Sequence, residues 1–405
     1  MHTIRVAIPA MDELDYLPAT LDALSRQETD SPFEVYICVN QPESYWDNPA
    51  GRLVCEHNQQ LLEYLSHYVF LTLHVLDFSS PGKGWPMGKT GVGHARKMLF
   101  DSILSVSEPD DLIVSMDADT LVEPGYLQSI AELFSKHPEM SALAVPYYHR
   151  LDPTDETATR AMLRYEIYMR NYAINLLRIN SPYGFTALGS AIVMRAKALR
   201  KIGNITPLQS GEDFYLVQKF CKMGGLRLFN SESVFPACRY SDRVPFGTGP
   251  AMKLGAKGIW DSYPIYHHSI FKPISEAYQH LHDLYVNCFN DSNNDFLAFL
   301  QKDNTQKDIW TTIRQNVSDF PHFVKAFHQK ADGLRILQYA RHIHAQHKDL
   351  ELSALFDNVK TWWPDCCPEW FIKDKPLEHY SISQLNKLRN VMFEKENTLR
   401  KHYFE

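Results

Sequence analysis

Residues 112–124 read Leu-Ile-Val-Ser-Met-Asp-Ala-Asp-Thr-Leu-Val-Glu-Pro, an apolar run followed by two carboxylates and a polar, proline-containing stretch. The apolar run predicts a buried strand. Asp117 and Asp119, spaced i and i+2 at its carboxyl end, can both lean towards one divalent cation. Phosphate oxygens and water suit the remaining positions around such a cation. The alternative is a turn with two solvated aspartates, and the motif alone favours it because Asp-x-Asp is common in loops.

The sequence around this stretch alternates short β-branched runs with helical patterns up to about residue 179. This alternation is typical of strand-helix units on a largely parallel sheet. Strands are predicted at residues 4–10, 33–39, 71–76, 112–116 and 142–148. Helices are predicted at residues 52–67, 92–106 and 156–179, with two more over Leu14 to Leu24 and after Pro124. The expected fold class is therefore α/β with a mainly parallel central sheet.

The pattern changes near residue 249, after which helices and connecting loops dominate. Two domains are therefore predicted, residues 1–248 around the sheet and a mainly helical C-terminal region at 249–405. Apolar residues recur at helical spacing in residues 274–288, 293–301, 320–346, 349–361 and 382–402. The aromatic, proline-rich segment 361–370 offers ring faces for a sugar, but core packing is the favoured interpretation.

Composition excludes several classes of protein. The 405 residues carry a formal net charge of -7 at pH 7, which argues against a nucleic-acid partner because phosphate backbones select basic surfaces. We expect no transmembrane segment and no signal peptide, since no apolar stretch is long enough and the amino terminus soon turns polar. The cysteines are scattered without a Cys-x-x-Cys pair, so neither a zinc cage nor a disulfide framework is indicated. A cytoplasmic location is expected.

Other segments stand around Asp117 and Asp119 in the order that a sugar-nucleotide site requires. They are residues 6–13 (VAIPAMDE), 36–40 (YICVN), 91–97 (GVGHARK), 189–195 (GSAIVMR) and 210–213 (SGED). The ordered set resembles the family 2 glycosyltransferases over about residues 4–245. The resemblance implies a GT-A type, Rossmann-like nucleotide-diphospho-sugar transferase domain, and hence an enzyme.

The resemblance implies that the end of the first strand, Pro9 and Ala10 with Glu13, lies beside the nucleotide base. Strand-end positions in an open α/β sheet face the ligand crevice. A strand-to-helix turn in which Glu13 favours the helix dipole is a compatible alternative. At the end of the second strand the family usually carries an aspartate that binds uracil. Asn40 takes its place here, and an amide can both donate to a base and accept from it.

A glycine-rich segment, residues 81–97, precedes and enters a helix and carries Lys83, Lys89 and Arg96. Glycines let backbone amides approach a diphosphate, and the three cations offer positive charge. The segment is not a Walker loop, because Gly-x-x-x-x-Gly-Lys-Ser/Thr is absent, so a nucleoside triphosphatase is disfavoured. The alternative is a surface loop with solvated lysines.

For residues 117–119 the resemblance implies separate roles. Asp117 would hold the ribose and a metal-bound water, Ala118 would line the nucleotide-sugar site, and Asp119 would ligate the cation. Both carboxylates are thus predicted metal ligands. Mn²⁺ or Mg²⁺ suits such oxygen ligands.

The resemblance also assigns the acceptor side. Gly189 and Ser190 would line the sugar site beside the acceptor, where small residues leave room; a strand start that needs glycine is the alternative. Glu212 and Asp213 open a helical pattern, and two acids there also favour the helix dipole. In the family this pair supplies the catalytic base. The predicted base is Asp213, with Glu212 as a neighbour that orients it or binds the acceptor.

Residues 239–249 again pair cations with glycines and are predicted as a lid over the diphosphate or as an interdomain linker. The predicted function is metal-dependent transfer of one sugar from a nucleoside-diphosphate-sugar to a hydroxyl of a glycan, lipid-linked or small-molecule acceptor. If Asp213 is the base, the transfer inverts the anomeric centre, but retaining enzymes of the same fold share the loop at 81–84 and the Asp-Ala-Asp. Two alternatives stay open: a nucleotidyltransferase that makes sugar nucleotides, and a sugar-nucleotide-binding protein without turnover.

Overall fold

The computed structural model describes residues 2–86, 88–241, 247–289, 293–302 and 308–403. These residues form two compact units. The first comprises the residues up to 162 together with 186–259, and the second comprises 163–185 together with 260–403. The α/β fold class and the helical C-terminal region are confirmed, whereas a domain boundary at 248 stays a prediction.

The first unit is built on a seven-stranded sheet. The strands of the chain are β1 (Ile4–Ala10), β2 (Phe33–Asn40), β3 (Leu73–Phe78), β4 (Leu112–Ser115), β5 (Thr120–Val122), β6 (Ala142–Ala144), β7 (Ile192–Arg195), β8 (Leu226–Arg227) and β9 (Val234–Pro236). The order in the sheet is β3-β2-β1-β4-β7-β6-β8, and β5 pairs with β9 in a separate ribbon. The sheet is mainly parallel, because only β7 runs against its neighbours β4 and β6.

Helices connect and cover these strands and make up most of the second unit. They are α1 (Leu17–Ser25), α2 (Pro49–Ser66), α3 (Val92–Val106), α4 (Tyr126–Lys136), α5 (Glu156–Arg178), α6 (Ala196–Lys201), α7 (Glu212–Met223), α8 (Thr248–Gly255), α9 (Lys272–Gln279), α10 (Leu281–Tyr285), α11 (Asp295–Gln301), α12 (Ile309–Asn316), α13 (Phe320–Lys330), α14 (Gly333–Gln346), α15 (Glu351–Trp362) and α16 (Ile382–His402). No helix among the described residues combines the length and the apolarity needed to cross a bilayer.

Strand β1 and its pairing with β4 define the edge of the sheet at which the candidate site lies. All seven residues of its sequence IRVAIPA are buried, as expected for a parallel strand that is covered on both faces. In the pairing with β4, Ile4 lies opposite Leu112 and Ala7 opposite Ser115. Both strands therefore end at the same edge, and the residues that follow each of them meet there.

Several elements differ from the predictions, and neither β8 nor β9 was predicted. The strand predicted at 142–148 ends at Ala144, because the chain then turns to β9, where the Tyr148 amide donates to the Val234 carbonyl at 2.9 Å. The polar stretch after Asp119 contains β5, which the sequence did not reveal. The predicted helix at 320–346 is interrupted, because the Asp332 carboxylate caps the amino terminus of α14.

A network of charged side chains on α5 and α16 is almost completely buried in the second unit. Its members, none more than 1% exposed, are Glu166, Arg170, Arg389, Glu396 and Arg400. The Arg170 guanidinium donates to Glu166 and, at 2.6 Å, to Glu396. Arg389 lies 3.4 Å from Glu166, and Arg400 pairs with Glu396. Buried charges persist in proteins when they are paired, so this network fixes how the two helices face each other.

Replacing Glu396 with Gln tests this network. The change leaves the buried Arg170 and Arg400 without the carboxylate that they share, so the free energy of unfolding should fall by about 3 kcal/mol. Glu394→Gln, at an exposed position of the same helix, should change it by less than about 0.5 kcal/mol. Urea-induced unfolding measures both, and equal effects of the two variants would contradict the assignment.

Candidate active site

The centre of the candidate site is the guanidinium of Arg96 on α3, which is 3% exposed. Its Nη2 donates to Asp117 after β4, and its Nη1 donates to Glu212 at the start of α7. Burial alone would lower the pKa of Arg96, but the charges of the surrounding carboxylates outweigh it and hold the pKa above the ordinary value. Three motifs that are distant in sequence are thereby joined by one side chain.

Glycine makes room for this guanidinium. A β-carbon at Gly189 would overlap with the terminal atoms of Arg96, so no residue with a side chain fits there unless Arg96 moves. The Ser115 hydroxyl donates to the Gly189 carbonyl at 2.7 Å and holds the backbone in place. Gly189 is therefore required for packing, and the neighbouring Ser190 is buried as well.

The amino terminus of α7 places Asp213 next to this cluster. Gly211 precedes the helix at φ 76°, and the Asp213 carboxylate accepts a hydrogen bond of 2.7 Å from the Phe214 amide. Burial raises the pKa of Asp213 to about 7, the Glu212 carboxylate adds to the rise, and Arg96 opposes it. Asp213 can therefore take up and release a proton near neutral pH.

A second arginine, Arg239, holds the other aspartate of the motif. Its Nη1 and Nη2 donate to both carboxylate oxygens of Glu13 at 2.9 and 2.7 Å, and its Nε lies 2.6 Å from Asp119 Oδ2. The guanidinium stacks on the Tyr16 ring, 4.3 Å from the ring centroid. Burial alone would lower the pKa of Arg239, but Asp119 and Glu13 outweigh it and raise the pKa above the ordinary value.

The main chain of the Asp-Ala-Asp turn is also fixed. Arg150 donates to the Asp119 carbonyl at 2.9 Å, and the Thr20 hydroxyl donates to the Ala118 carbonyl at 2.8 Å. Ala118 is fully buried, so its side chain serves packing.

The predicted base-reading residues lie at the ends of β1 and β2. Asn40 is buried, and its amide nitrogen donates to the Ala10 and Cys38 carbonyls, both at 3.0 Å. Pro9 and Ala10 are buried in the sheet. Both amide hydrogens of Asn40 are thus used within the protein, which corrects the expectation that this side chain can donate to a base.

The two predicted diphosphate lysines, Lys83 and Lys89, have different surroundings. Lys83 pairs with Asp77 at 2.9 Å, and the Gly82 and Gly84 amides donate to the Glu43 carboxylate at 2.8 and 2.6 Å. Burial alone would raise the pKa of Asp77, but hydrogen bonds from Lys83 and the neighbouring serines hold it below the ordinary range. Lys89 is exposed and has no ion pair with any residue in the described part of the chain.

Asp117 and Asp119 carry the hard oxygen atoms that Mn²⁺ or Mg²⁺ prefers. The Asp117 side chain is 36% exposed and so open to a ligand, whereas that of Asp119 is 13% exposed and engaged by Arg239. No group of three His, Cys, Asp or Glu residues that could hold a metal occurs among the described residues. The two carboxylates therefore fit a cation whose other ligands come from a diphosphate and water.

Sequence reasoning missed three contributors to this site: Arg150, Tyr16 and the pairing of Arg239 with Asp119. Arg239 opens the segment 239–249 that was predicted as a lid or linker, and residues 242–246 of that segment lie outside the described residues. The sequence did contain a signal for Arg239, because this cationic residue follows shortly after β9. Its partners were not readable, because the β5–β9 ribbon that brings it to Asp119 was not predicted.

Comparisons with known proteins match this part of the chain to one family. A family model described as "Glycosyltransferase like family 2" matches residues 2–229. No curated protein matches the chain.

Solved structures that match this chain include S. aureus TarS 1-349 in complex with UDP-GlcNAc, at 13% identity over 100% of this chain and 91% of that chain, with a TM-score of 0.43. The mannosyltransferase PcManGT from Pyrobaculum calidifontis, in complex with GDP-Man and Mn²⁺, is 12% identical over 98% of this chain and 86% of that chain, with a TM-score of 0.37. Glucosyl-3-phosphoglycerate synthase from Mycobacterium tuberculosis, in complex with Mn²⁺, UDP-Glc and phosphoglyceric acid, is 14% identical over 64% of this chain and 80% of that chain, with a TM-score of 0.35.

Replacing Gly189 with Ala tests the packing around Arg96. The new methyl group should displace the guanidinium from its carboxylates and lower the free energy of unfolding by about 1–3 kcal/mol. Gly125→Ala is the matched control, because a β-carbon there would meet only the Glu232 side chain at 3.7 Å. Urea-induced unfolding compares the variants. A Gly189→Ala protein as stable as the control would contradict the proposed packing.

Proposed function

We propose a specific reaction for this chain, which belongs to the glycosyltransferase like family 2 and is therefore a glycosyltransferase. It moves a single sugar from a nucleoside-diphosphate-sugar donor to a hydroxyl group of a glycan, lipid-linked or small-molecule acceptor, in a metal-dependent reaction. The predicted GT-A type of fold is confirmed by this membership together with the mainly parallel sheet. Membership in the family also favours sugar transfer over the synthesis of sugar nucleotides.

The observation that carries the proposal is the cluster around Arg96. One guanidinium contacts Asp117, assigned to the donor, and Glu212, the neighbour of the proposed base. Sugar transfer requires the donor sugar and the acceptor hydroxyl to lie within a few ångström of each other. A side chain that contacts both the donor residue and the neighbour of the base keeps these two parts of the site close together.

Asp213 is the proposed general base. It accepts the proton of the acceptor hydroxyl while that oxygen forms a bond to the anomeric carbon and the bond from this carbon to the diphosphate breaks. The products are the glycosylated acceptor and a nucleoside diphosphate, and direct displacement inverts the anomeric centre. A raised pKa suits this role, because a base is most effective when its pKa lies near the working pH.

Glu212 is proposed as a positioning residue. It is 2% exposed and bound to Arg96, so an acceptor hydroxyl has little access to its carboxylate. Its charge acts on its neighbour, since it adds to the raised pKa of Asp213.

Asp117 and Asp119 are the proposed ligands of Mn²⁺ or Mg²⁺, and Asp117 is also proposed to hold the ribose. When bound, the cation supplies Lewis-acid stabilisation of the departing diphosphate. The other proposed donor contacts are Pro9, Ala10, Glu13, Asn40, Lys83, Lys89, Arg96, Ala118, Gly189 and Ser190. Of these, Asn40 would contact the base as a hydrogen-bond acceptor only. Lys83 would contact the diphosphate while it is paired with Asp77.

Asp213→Asn tests the base. We expect a loss of sugar transfer of about 10²–10⁴-fold, since an amide accepts no proton from the acceptor. In the parent, kcat/KM should rise with pH up to about 7 and then level, because the ionised form of Asp213 accepts the proton and its pKa is about 7. The Asp213→Asn variant should lose this pH dependence. It should keep its fold, because burial disfavours the ionised form of Asp213 and an uncharged amide is tolerated at the same position. Release of nucleoside diphosphate and formation of glycosylated acceptor are the readouts. Undiminished transfer would exclude Asp213 as base.

Asp119→Asn tests the metal site. An amide oxygen carries no charge, so binding of Mn²⁺ in the presence of a nucleoside diphosphate should weaken by about 10–100-fold. Calorimetric titration measures it, and Asp22→Asn, on the exposed side of α1, is the control. Parental metal affinity in Asp119→Asn would exclude the ligand assignment.

A further inference from the structure

We propose that Arg239 occupies the cation position of Asp119 in the nucleotide-free protein and competes there with the divalent metal. This inference rests on the proposed role of Asp119 as a metal ligand. Metal binding then requires Arg239 to be displaced, so the metal binds more weakly before the nucleotide than together with it.

The contacts of Arg239 account for all of its nitrogen atoms. Two of them are bound by Glu13, and the third, Nε, lies 2.6 Å from Asp119 Oδ2. A Mn²⁺ or Mg²⁺ ion binds a carboxylate oxygen at about 2.0–2.2 Å. Asp119 Oδ2 cannot bind the metal ion and the guanidinium at these distances together, because two positive charges with little water between them repel each other strongly.

The fold places Arg239 at this position. Strand β5 begins at Thr120, directly after Asp119, and Thr120 pairs with Pro236 at the end of β9. Arg239 follows the end of β9 by three residues, and Asp119 directly precedes β5. The pairing of β5 with β9 therefore brings Arg239 close to Asp119. The Tyr16 ring supports the opposite side of the guanidinium.

Burial makes the pairing strong enough to compete. The side chains of Glu13, Asp119 and Arg239 are 5%, 13% and 17% exposed. Charges that are this well shielded from water are screened less by salt and interact more strongly than surface pairs. A diphosphate that arrives with the metal brings negative charge to offset the broken ion pair.

Arg150 provides a matched control. It lies beside the same residue, but it donates to the main-chain carbonyl of Asp119 and to that of Phe235, not to the carboxylate. Removing Arg150 therefore takes away a positive charge near the site and leaves the contact between Arg239 and Asp119 Oδ2. Removing Arg239 takes away the same charge together with that contact.

The test is Mn²⁺ binding to the nucleotide-free protein, measured from the electron paramagnetic resonance signal of free Mn²⁺. Arg239→Gln should bind Mn²⁺ more tightly than the parent by about 10-fold, the size of an ordinary coupling between two ligands. Arg150→Gln should gain less than about 3-fold, and the double variant Arg239→Gln, Asp119→Asn should lose the gain. With a nucleoside diphosphate present, the difference in Mn²⁺ affinity between the parent and Arg239→Gln should become smaller.

Two results would overturn the proposal: Arg239→Gln binding Mn²⁺ no more tightly than the parent, or Arg150→Gln gaining as much as Arg239→Gln. Arg239→Lys serves if the glutamine variant does not fold. It keeps the charge but cannot span both carboxylates, so its gain should lie between those of the parent and Arg239→Gln, and no gain would count against the proposal. Sugar transfer by the same proteins is a separate readout. A metal gain without transfer refutes the proposed function alone, and transfer without a metal gain refutes the competition alone.

Discussion

The pairing of the Arg96 guanidinium with Asp117 and Glu212 is the interaction on which the candidate site depends. A guanidinium buried this deeply is stable only while its charge is compensated, so the turn after β4 and the first turn of α7 cannot shift independently. Gly189 supplies the space, and its backbone is held by Ser115. The geometry of the proposed donor and base residues is therefore set by packing inside the protein before any ligand enters.

The sequence predicted the sheet well because the long strands carry continuous apolar runs, such as IRVAIPA in β1. It missed β5 and placed the end of β6 too late, since a three-residue strand is specified by the partner that pairs with it and not by its own composition. The order of motifs correctly grouped Arg96 with Asp117 and Glu212. The partner of each cation was not readable, because sequence gives the charge of Lys83 or Arg239 but not the carboxylate that the fold brings to it.

The two aspartates of the Asp-Ala-Asp turn have become chemically different. Asp117 faces Arg96 and keeps an exposed edge, whereas Asp119 is enclosed with Arg239. Carboxylates outnumber guanidinium groups in this cluster, which comprises Glu13, Asp117, Asp119, Glu212 and Asp213 with Arg96, Arg150 and Arg239. Burial is the main cause of the raised pKa of Asp213, and the negative charge of Glu212 adds to it. The excess negative charge of the cluster also favours the arrival of a cation.

The hydrogen bonds of Asn40 have a consequence for molecular discrimination. Because both of its amide hydrogens are bound to the Ala10 and Cys38 carbonyls, this side chain meets any ligand as an acceptor alone. The ring N–H of uracil or guanine, or the exocyclic amine of cytosine or adenine, can donate to it, whereas a ligand group that only accepts hydrogen bonds meets opposed lone pairs. Selection of this kind depends on the direction of one hydrogen bond and not on the size of the ring.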